Sequence, residues 1–469
     1  MGFTLRQCLL ITTSCISIVL VSSIFSLQAP FFPKEAEKKN VSPTEYGLVF
    51  GIYDGTVLFA SLLISSTISY IGRKFCFIAG NVVAGVCTIL FGMLEFCSRQ
   101  SFLAFAFILR IVEGFAQSAG LCAVMVIFVT EFGNNVEMMI SLQEACFGIG
   151  LFLGPLTGGL LYDLGGFYLP FVIVGCLILL STTLTYICVP PSRTYCTTLN
   201  AWLAFKTLAV PGIWVGILST GLGSFCYGFL QTTFEPHLRP FNLTGTKIGL
   251  IFFLMFSVYC VFCPIWAKLA KMGLHPRIIM IIGSLLMAIG FACIGPLPGI
   301  STSEPHLWYI LVGVILNGAA QGAVFLPGLL DIRKVLEKKG YEVDETSQGV
   351  SAGLWQSAFS LGGCIGPAIG GALYQHLGFR NSSVIFVALN IIFVLWISIL
   401  CIFNWRRGKF SCIVPRKKSR FQLLLEEEEN SPLIPRLHNT IPAPKTKVIR
   451  WDSSLPDDRI CERLIALSP

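Results

Sequence analysis

The chain has 469 residues and a mass of 51.4 kDa, and Ala, Val, Ile, Leu, Met, Phe, Trp, Tyr and Cys make up 54% of it. Counting its 45 glycines, about 64% is apolar, against about 45–50% in ordinary globular domains. Charged residues are only 12% and mean hydropathy is +0.75. Such a chain has too few polar groups to coat a water-facing surface, which excludes a soluble enzyme and reads as an integral membrane protein. Of 58 charged residues, 21 fall in 405–469, so a membrane body precedes a polar tail. The net charge of +8 accompanies no basic soluble face, so nucleic-acid binding is not expected. The 18 cysteines lie almost entirely in apolar runs, where a thiol acts as a small hydrophobe. The CxxC at Cys260 and Cys263 has no second pair, and no metal or cofactor is expected.

In chain order, runs long enough to cross about 30 Å of hydrocarbon fall at 7–29, 46–69, 75–97, 102–129, 136–161, 167–189, 210–232, 247–270, 278–297, 307–330, 350–374 and 381–404. The first leads into more spans and lacks a cleavage site, so it reads as a membrane helix and not a signal peptide. The expectation is an all-α membrane protein of twelve spans: a six-helix half over 1–189, a central loop over 190–209, a second half over 210–404 and a disordered tail over 405–469. With both termini cytosolic, the cytosolic connections hold 12 Lys and Arg and the opposite ones 7, and the tail adds 13. The non-cytosolic loop then carries Asn242-Leu-Thr244, an N-glycosylation acceptor.

The chain repeats itself. Gly150, Gly154, Pro155, Gly158 and Gly159 of the fifth span match Gly362, Gly366, Pro367, Gly370 and Gly371 of the eleventh, in the pattern G-x-x-x-G-P-x-x-G-G. The likeness continues through Leu161-Tyr162 and Leu373-Tyr374. Glycine at spacing four lets another backbone approach closely, and proline removes a donor and bends the helix. Static packing accounts for small residues at this spacing. The duplicated Gly-Pro favours two bodies that rock against each other. Two related six-span halves are a transporter signature, with the site near the midplane between them.

On these residues the chain resembles the major facilitator superfamily. The fifth-span pattern matches that superfamily's antiporter-associated motif. Arg110-Ile-Val-Glu113-Gly114 resembles its R-x-x-Q-G motif, and Ile71-Gly72-Arg73-Lys74 resembles the end of its loop motif, whose start is degenerate here (Ser65, Ser69 and Tyr70). Arg73 and Lys74 are thus expected as gating or structural charges. The stretches from Phe25 to Asn40 and Ser42 to Gly51 are similar to the vesicular polyamine transporter branch of the vesicular amine transporters, which exchange lumenal protons for cytosolic organic cations. The acids that the monoamine branch carries in spans one and eleven are missing, so that branch's site chemistry does not transfer.

Ionisable groups at membrane depth are functional candidates. Asp54, Arg110, Glu113 and Glu144 lie well inside spans, and three acids against one base favour a cation or protons. Arg110 and Glu113 are three apart on one helix face, and Asp54 shares the depth of Arg110, so a buried pair with either acid is expected. Glu144 has no partner on its own span and sits near Gly148 and Leu151, off the glycine stripe. It is the first candidate for proton or cation coupling, ahead of Glu113 and Asp54. Tyr227, Glu235, Asn317 and Gln321 are candidate cavity residues: an aromatic face for a cation, an acid at the far edge, and two amides on one face. Trp308 and Tyr309 read as interface-belt residues.

In the tail, Glu429, Leu433 and Ile434 resemble the acidic dileucine signal read by clathrin adaptor complexes. There is no P-loop, so ion gradients supply the energy. The function expected is proton-coupled antiport of organic cations, polyamines or related amines, across the membrane of a secretory vesicle, endosome or lysosome. A facilitator of an anion or neutral metabolite, with Arg110 on the ligand, and a transport-incompetent receptor or scaffold remain the competing readings.

Overall fold

The computed structural model describes residues 4–132, 136–189, 206–296, 306–339 and 345–406. The polar tail with Glu429, Leu433 and Ile434, and most of the central loop, lie outside these.

The helices are α1 (Leu5–Leu27), α2 (Phe32–Lys38), α3 (Pro43–Ile71), α4 (Arg73–Gly92), α5 (Arg99–Glu131), α6 (Val136–Gly165), α7 (Tyr168–Cys188), α8 (Ile213–Leu238), α9 (Gly245–Lys271), α10 (Pro276–Ile294), α11 (Leu307–Lys338) and α12 (Glu345–Arg406). Their starts are written locally. Thr4 with Gln7 and Ser42 with Glu45 form capping boxes, Pro43 and Pro276 open α3 and α10, and Thr244 caps α9. Gly72 closes α3 at φ 99°, a backbone that side chains avoid.

Among the described residues, eleven helices are long and apolar enough to cross a membrane. The last of them is two spans in one. Its 62 residues, run straight, would extend about 93 Å, three times the hydrocarbon thickness. At Gly378 the backbone leaves the helical region (φ 71°, ψ 171°). Phe225 lies against the Gly366 backbone and also stacks on Phe386 at 5.0 Å, so the chain doubles back between them. The count is therefore twelve spans, in halves α1–α7 and α8–α12. The eleventh and twelfth are joined by one glycine, where the hydropathy pattern suggests a short loop.

The two halves meet on the side away from the N-terminus, here the distal side. The duplicated motifs explain how, and each serves two seams. Gly150, Gly154 and Gly158 of α6 face α1: a Cβ at any of them would overlap Ser22, Ser26 or the Leu27 carbonyl. Gly362, Gly366 and Gly370 of α12 face α8 in the same way, against Gly221, Phe225 and Phe229. These stripes pack inside their own halves, so the expected rocking surface is not theirs. The crossing contacts belong to the other side of each motif. Gly159 meets the Gly245 carbonyl and Pro155 meets Gly249, joining α6 to α9. Pro367 and Gly371 meet Gly47 and Pro43, joining α12 to α3, and Gly51 meets Cys364. Toward the N-terminal side the walls part, and a Cβ at Gly148 or Gly353 would have no neighbour within 4 Å.

The two kinds of seam should respond differently to bulk. Gly154→Leu should lower the thermal midpoint of the purified protein, because α1 cannot leave α6. Gly159→Leu with Gly371→Leu should leave the midpoint within a few degrees and hold the distal side open. Thiol labelling of cysteines placed at 148 and 353, in a background lacking accessible native cysteines, should then drop. Unchanged labelling together with normal transport would show that closure does not use these seams.

Candidate functional site

Three layers of polar side chains run along the space between the halves. The outermost closes the distal side. Arg239, just beyond α8, bonds Glu235 through Nε (3.0 Å) and Nη2 (2.7 Å) and reaches Glu37 of α2 in the other half. Glu235 is 1% exposed and ion-paired, so it is part of this closure and not an open attractor. Tyr46 donates to the same Glu37 at 3.2 Å. Two clasps flank it at positions related by the repeat. Asp163, at the end of α6, accepts from Gly245 N (2.9 Å), Thr246 N (2.7 Å) and the Thr246 hydroxyl. It therefore sits on the N-terminus of α9, where an anion is favoured. Gln375 takes its place in the second half and accepts from Thr44 N (3.2 Å) and the Thr44 hydroxyl (2.6 Å) at the start of α3.

The middle layer is the charged core of the first half. Arg110 is 1% exposed, pairs with Glu113 at 2.7 Å and also bonds Gln28. Glu113 takes a second hydrogen bond from Thr88 at 2.8 Å. The guanidinium lies 4.6 Å from the Phe91 ring and 5.3 Å from that of Tyr53, and Tyr53 in turn bonds Gln117. An ion pair in hydrocarbon needs all these donors and acceptors to persist.

The third layer lies between the halves. Asp54 is 11 positions into α3, about 16 Å from its start, near mid-membrane. Arg110 is within electrostatic range but makes no ion pair with it. One carboxylate oxygen of Asp54 makes no hydrogen bond. It lies against the backbone of Gly363, where a Cβ would overlap it, beside Ser224. The Tyr227 hydroxyl is also unbonded, and its ring packs 6.0 Å from Phe25 and 5.5 Å from Phe256. Phe25 is 5.7 Å from Tyr53. Rings from both halves thus pack together, and Tyr53 and Tyr227 among them lie within electrostatic range of the buried carboxylate.

Glu144 stands nearer the N-terminal side. It is exposed, one turn from the open space at Gly148, and in electrostatic range of Tyr259 on α9 across the cleft. It is not among the groups around Asp54. Asn317 bonds its own helix at Gly313 (2.9 Å) and presses on Gly290 of α10, so it faces a neighbouring helix and not the space between the halves. Gln321 is buried one turn further on. Arg73 pairs with Glu131 at 2.7 Å, and Lys74 donates to the Val189 carbonyl at 2.8 Å. Asn242 is exposed, with φ 51°, in the short connection between α8 and α9. The sequence reading missed Gln28, Gln117, Glu37, Arg239, Asp163 and Gln375. Only the Glu235–Arg239 spacing of four carried a local signal.

Twelve spans in two halves, with charge buried between them, define a membrane transporter of the facilitator type. The Major Facilitator Superfamily model matches residues 14–234 and 213–438, and the chain belongs to that superfamily. It is 31% identical over 441 residues to the MFS-type transporter SLC18B1 of Homo sapiens, covering 92% of this chain and 94% of that one. It is 24% identical over 404 residues to the synaptic vesicular amine transporter of Homo sapiens, covering 84% and 73%. The chain is thus a multi-pass transporter of the SLC18B1 type, related to vesicular amine transporters. Among solved structures, a bacterial homolog of the human lysosomal transporter Spinster, inward-facing and occupied, shares the fold with a TM-score of 0.69 at 14% identity, over 85% of this chain and 98% of that one.

Two measurements address these layers. Arg110→Met or Glu113→Leu alone should cost about 3–5 kcal/mol by stranding the partner charge. The double variant should recover most of that loss in thermal midpoint, and additive losses would show that the two groups are not coupled. Asp163→Asn removes a charge worth roughly 0.3–1 kcal/mol at a helix N-terminus. It should raise labelling of a distal cysteine about two- to fivefold and weaken the dependence of that labelling on ionic strength, whereas Gln375→Asn, which shortens a neutral clasp and leaves Asp163 in place, should keep that dependence.

Proposed function

We propose that the protein is a proton-driven antiporter that moves organic cations, polyamines or related amines, from the cytosol into acidic vesicles. The observation that carries this reading is the Asp54 carboxylate: buried, near mid-membrane, with one oxygen unbonded and with Tyr53 and Tyr227 within electrostatic range. A carboxylate near aromatic rings suits an ammonium group, by charge and by cation–π attraction. The name of the synaptic vesicular amine transporter among the relatives supports an amine. Arg110 gives Nη1 to Glu113 and Nη2 to Gln28 and leaves only Nε unbonded, and the Glu113 pair cancels its charge, which weighs against an anion bound there.

In this reading the cleft receives the amine from the N-terminal, cytosolic side. Glu144 in the cleft wall draws it inward, and Asp54 holds it. Release follows when the distal clasps part and protons from the lumen take the cation's place on the carboxylates. The membrane is then that of a secretory vesicle, endosome or lysosome. The tail signal at Glu429, Leu433 and Ile434 is its address, read by clathrin adaptor complexes.

In proteoliposomes with an imposed pH gradient, Asp54→Asn should abolish uptake of labelled spermidine and other amines while the thermal midpoint holds or rises. Glu144→Gln should lower uptake and leave cation binding measurable. Unimpaired pH-driven uptake by a stable Asp54→Asn protein would remove this reading. Uptake of an organic anion that needs Arg110 but not Asp54 would replace it with the facilitator alternative.

A further inference from the structure

On the N-terminal side of the second half, a cavity of about 350 Å³ opens where α10 begins and α11 ends. Its walls are His275 and Arg277, then Lys334, Lys338 and Lys339, with Asn404 from the end of α12. One carboxylate lines it among the described residues, and that one is engaged: Asp331 accepts from Arg277 Nε at 3.0 and 3.2 Å and from Nη2 at 3.1 Å. No ion pair among the described residues holds Lys334, Lys338 or Lys339. The uncancelled charge of the walls is three lysines. His275 registers their field. Burial, then Arg277, Lys334 and Lys338, push its pKa down to about 3, so it stays neutral and its ring accepts from Arg277 N.

The first half has a corresponding arrangement of charges at the same helix ends. Arg73 opens α4 as Arg277 opens α10, and Glu131 holds it as Asp331 holds Arg277. Lys74 then reaches across to the end of α7, donating to the Val189 carbonyl at 2.8 Å and lying 4.4 Å over the Tyr186 ring. In the second half Ile278 follows Arg277 where Lys74 follows Arg73, and the lysines come from α11 instead. Charge bias in topology asks for lysines on one side of the membrane. It does not ask them to wall a cavity of the size that small ligands use.

We propose that this cavity binds a phosphomonoester, the headgroup of an inositol phospholipid in the leaflet beside it. The cavity stands at the ends of four membrane helices, at the level of lipid headgroups. Clustered lysines between membrane helices recognise such groups by charge, and the Arg277 pair keeps the walls from collapsing. Occupancy ties the ends of α10, α11 and α12 together, on the side where the halves must separate to open the cleft.

The test uses the purified full-length protein with dioctanoyl phosphatidylinositol bisphosphate, inositol trisphosphate and dioctanoyl phosphatidylcholine as probes. The bisphosphate lipid should bind saturably and raise the thermal midpoint, and phosphatidylcholine should not. Lys334→Gln/Lys338→Gln/Lys339→Gln should weaken that binding by about tenfold or more. Lys268→Gln/Lys271→Gln, which removes charge on the same side outside the cavity, should change it by less than about twofold. Should the triple variant fail to fold, Lys334→Gln alone should weaken binding severalfold. Equal affinity for inositol trisphosphate would overturn the lipid as the source. Absence of binding, or equal weakening by the Lys268/Lys271 variant, would overturn the site.

Discussion

Where Gly371 meets the Pro43 carbonyl and Gly159 meets that of Gly245, no side chain stands between the two halves. In hydrocarbon the hydrophobic effect does not draw helices together, so contact of this kind rests on van der Waals packing of backbone on backbone. The rest of the architecture depends on it. Because Pro43 and Gly245 sit at the starts of α3 and α9, close approach delivers two helix N-termini to the Gly378 bend of α12 and to the end of α6. Gln375 and Asp163 bond those exposed donors. Because Gly51 and Gly363 lie further along the same faces, Asp54 is pressed into the centre between the halves.

The buried charge follows a second rule. Arg110 is held by a carboxylate, an amide and two rings, and its charge and that of Glu113 cancel, with only the guanidinium Nε left unbonded. Asp54 has no such set. A charge with an ion-pair partner and a charge without one separate a scaffold role from a ligand role more sharply than burial does, since all three residues are buried.

The spans were legible because hydropathy over 20 residues is a strong signal, and the Gly378 junction was not because a single glycine leaves hydropathy unbroken. The Arg110–Glu113 pair could be read from a spacing of three. Gln28 and Thr88 could not, since they come from other helices. The duplicated motif was visible but its division between seams was not: a stripe of glycines shows that something approaches and does not name it. A matching stripe at Gly47, Gly51 and Gly55 was there to be read as one more face of close approach, and the structure pairs it with α12. Asn317 shows the opposite limit. A polar residue in a span has more than one face to turn to, and here Gly290 on the neighbouring helix made room for it.

The two clasps have different chemistry at equivalent places. A carboxylate on the end of a helix is weakened by ions in solution, and a neutral amide is not. The twofold relation of the halves is therefore broken where they are fastened. A rise in salt on the distal side loosens the α6–α9 edge and leaves the α3–α12 edge as it was. The gap that forms is then a wedge hinged on Gln375, widest beside Asp163, and a molecule leaving by it passes along α6 and α9 rather than down the axis.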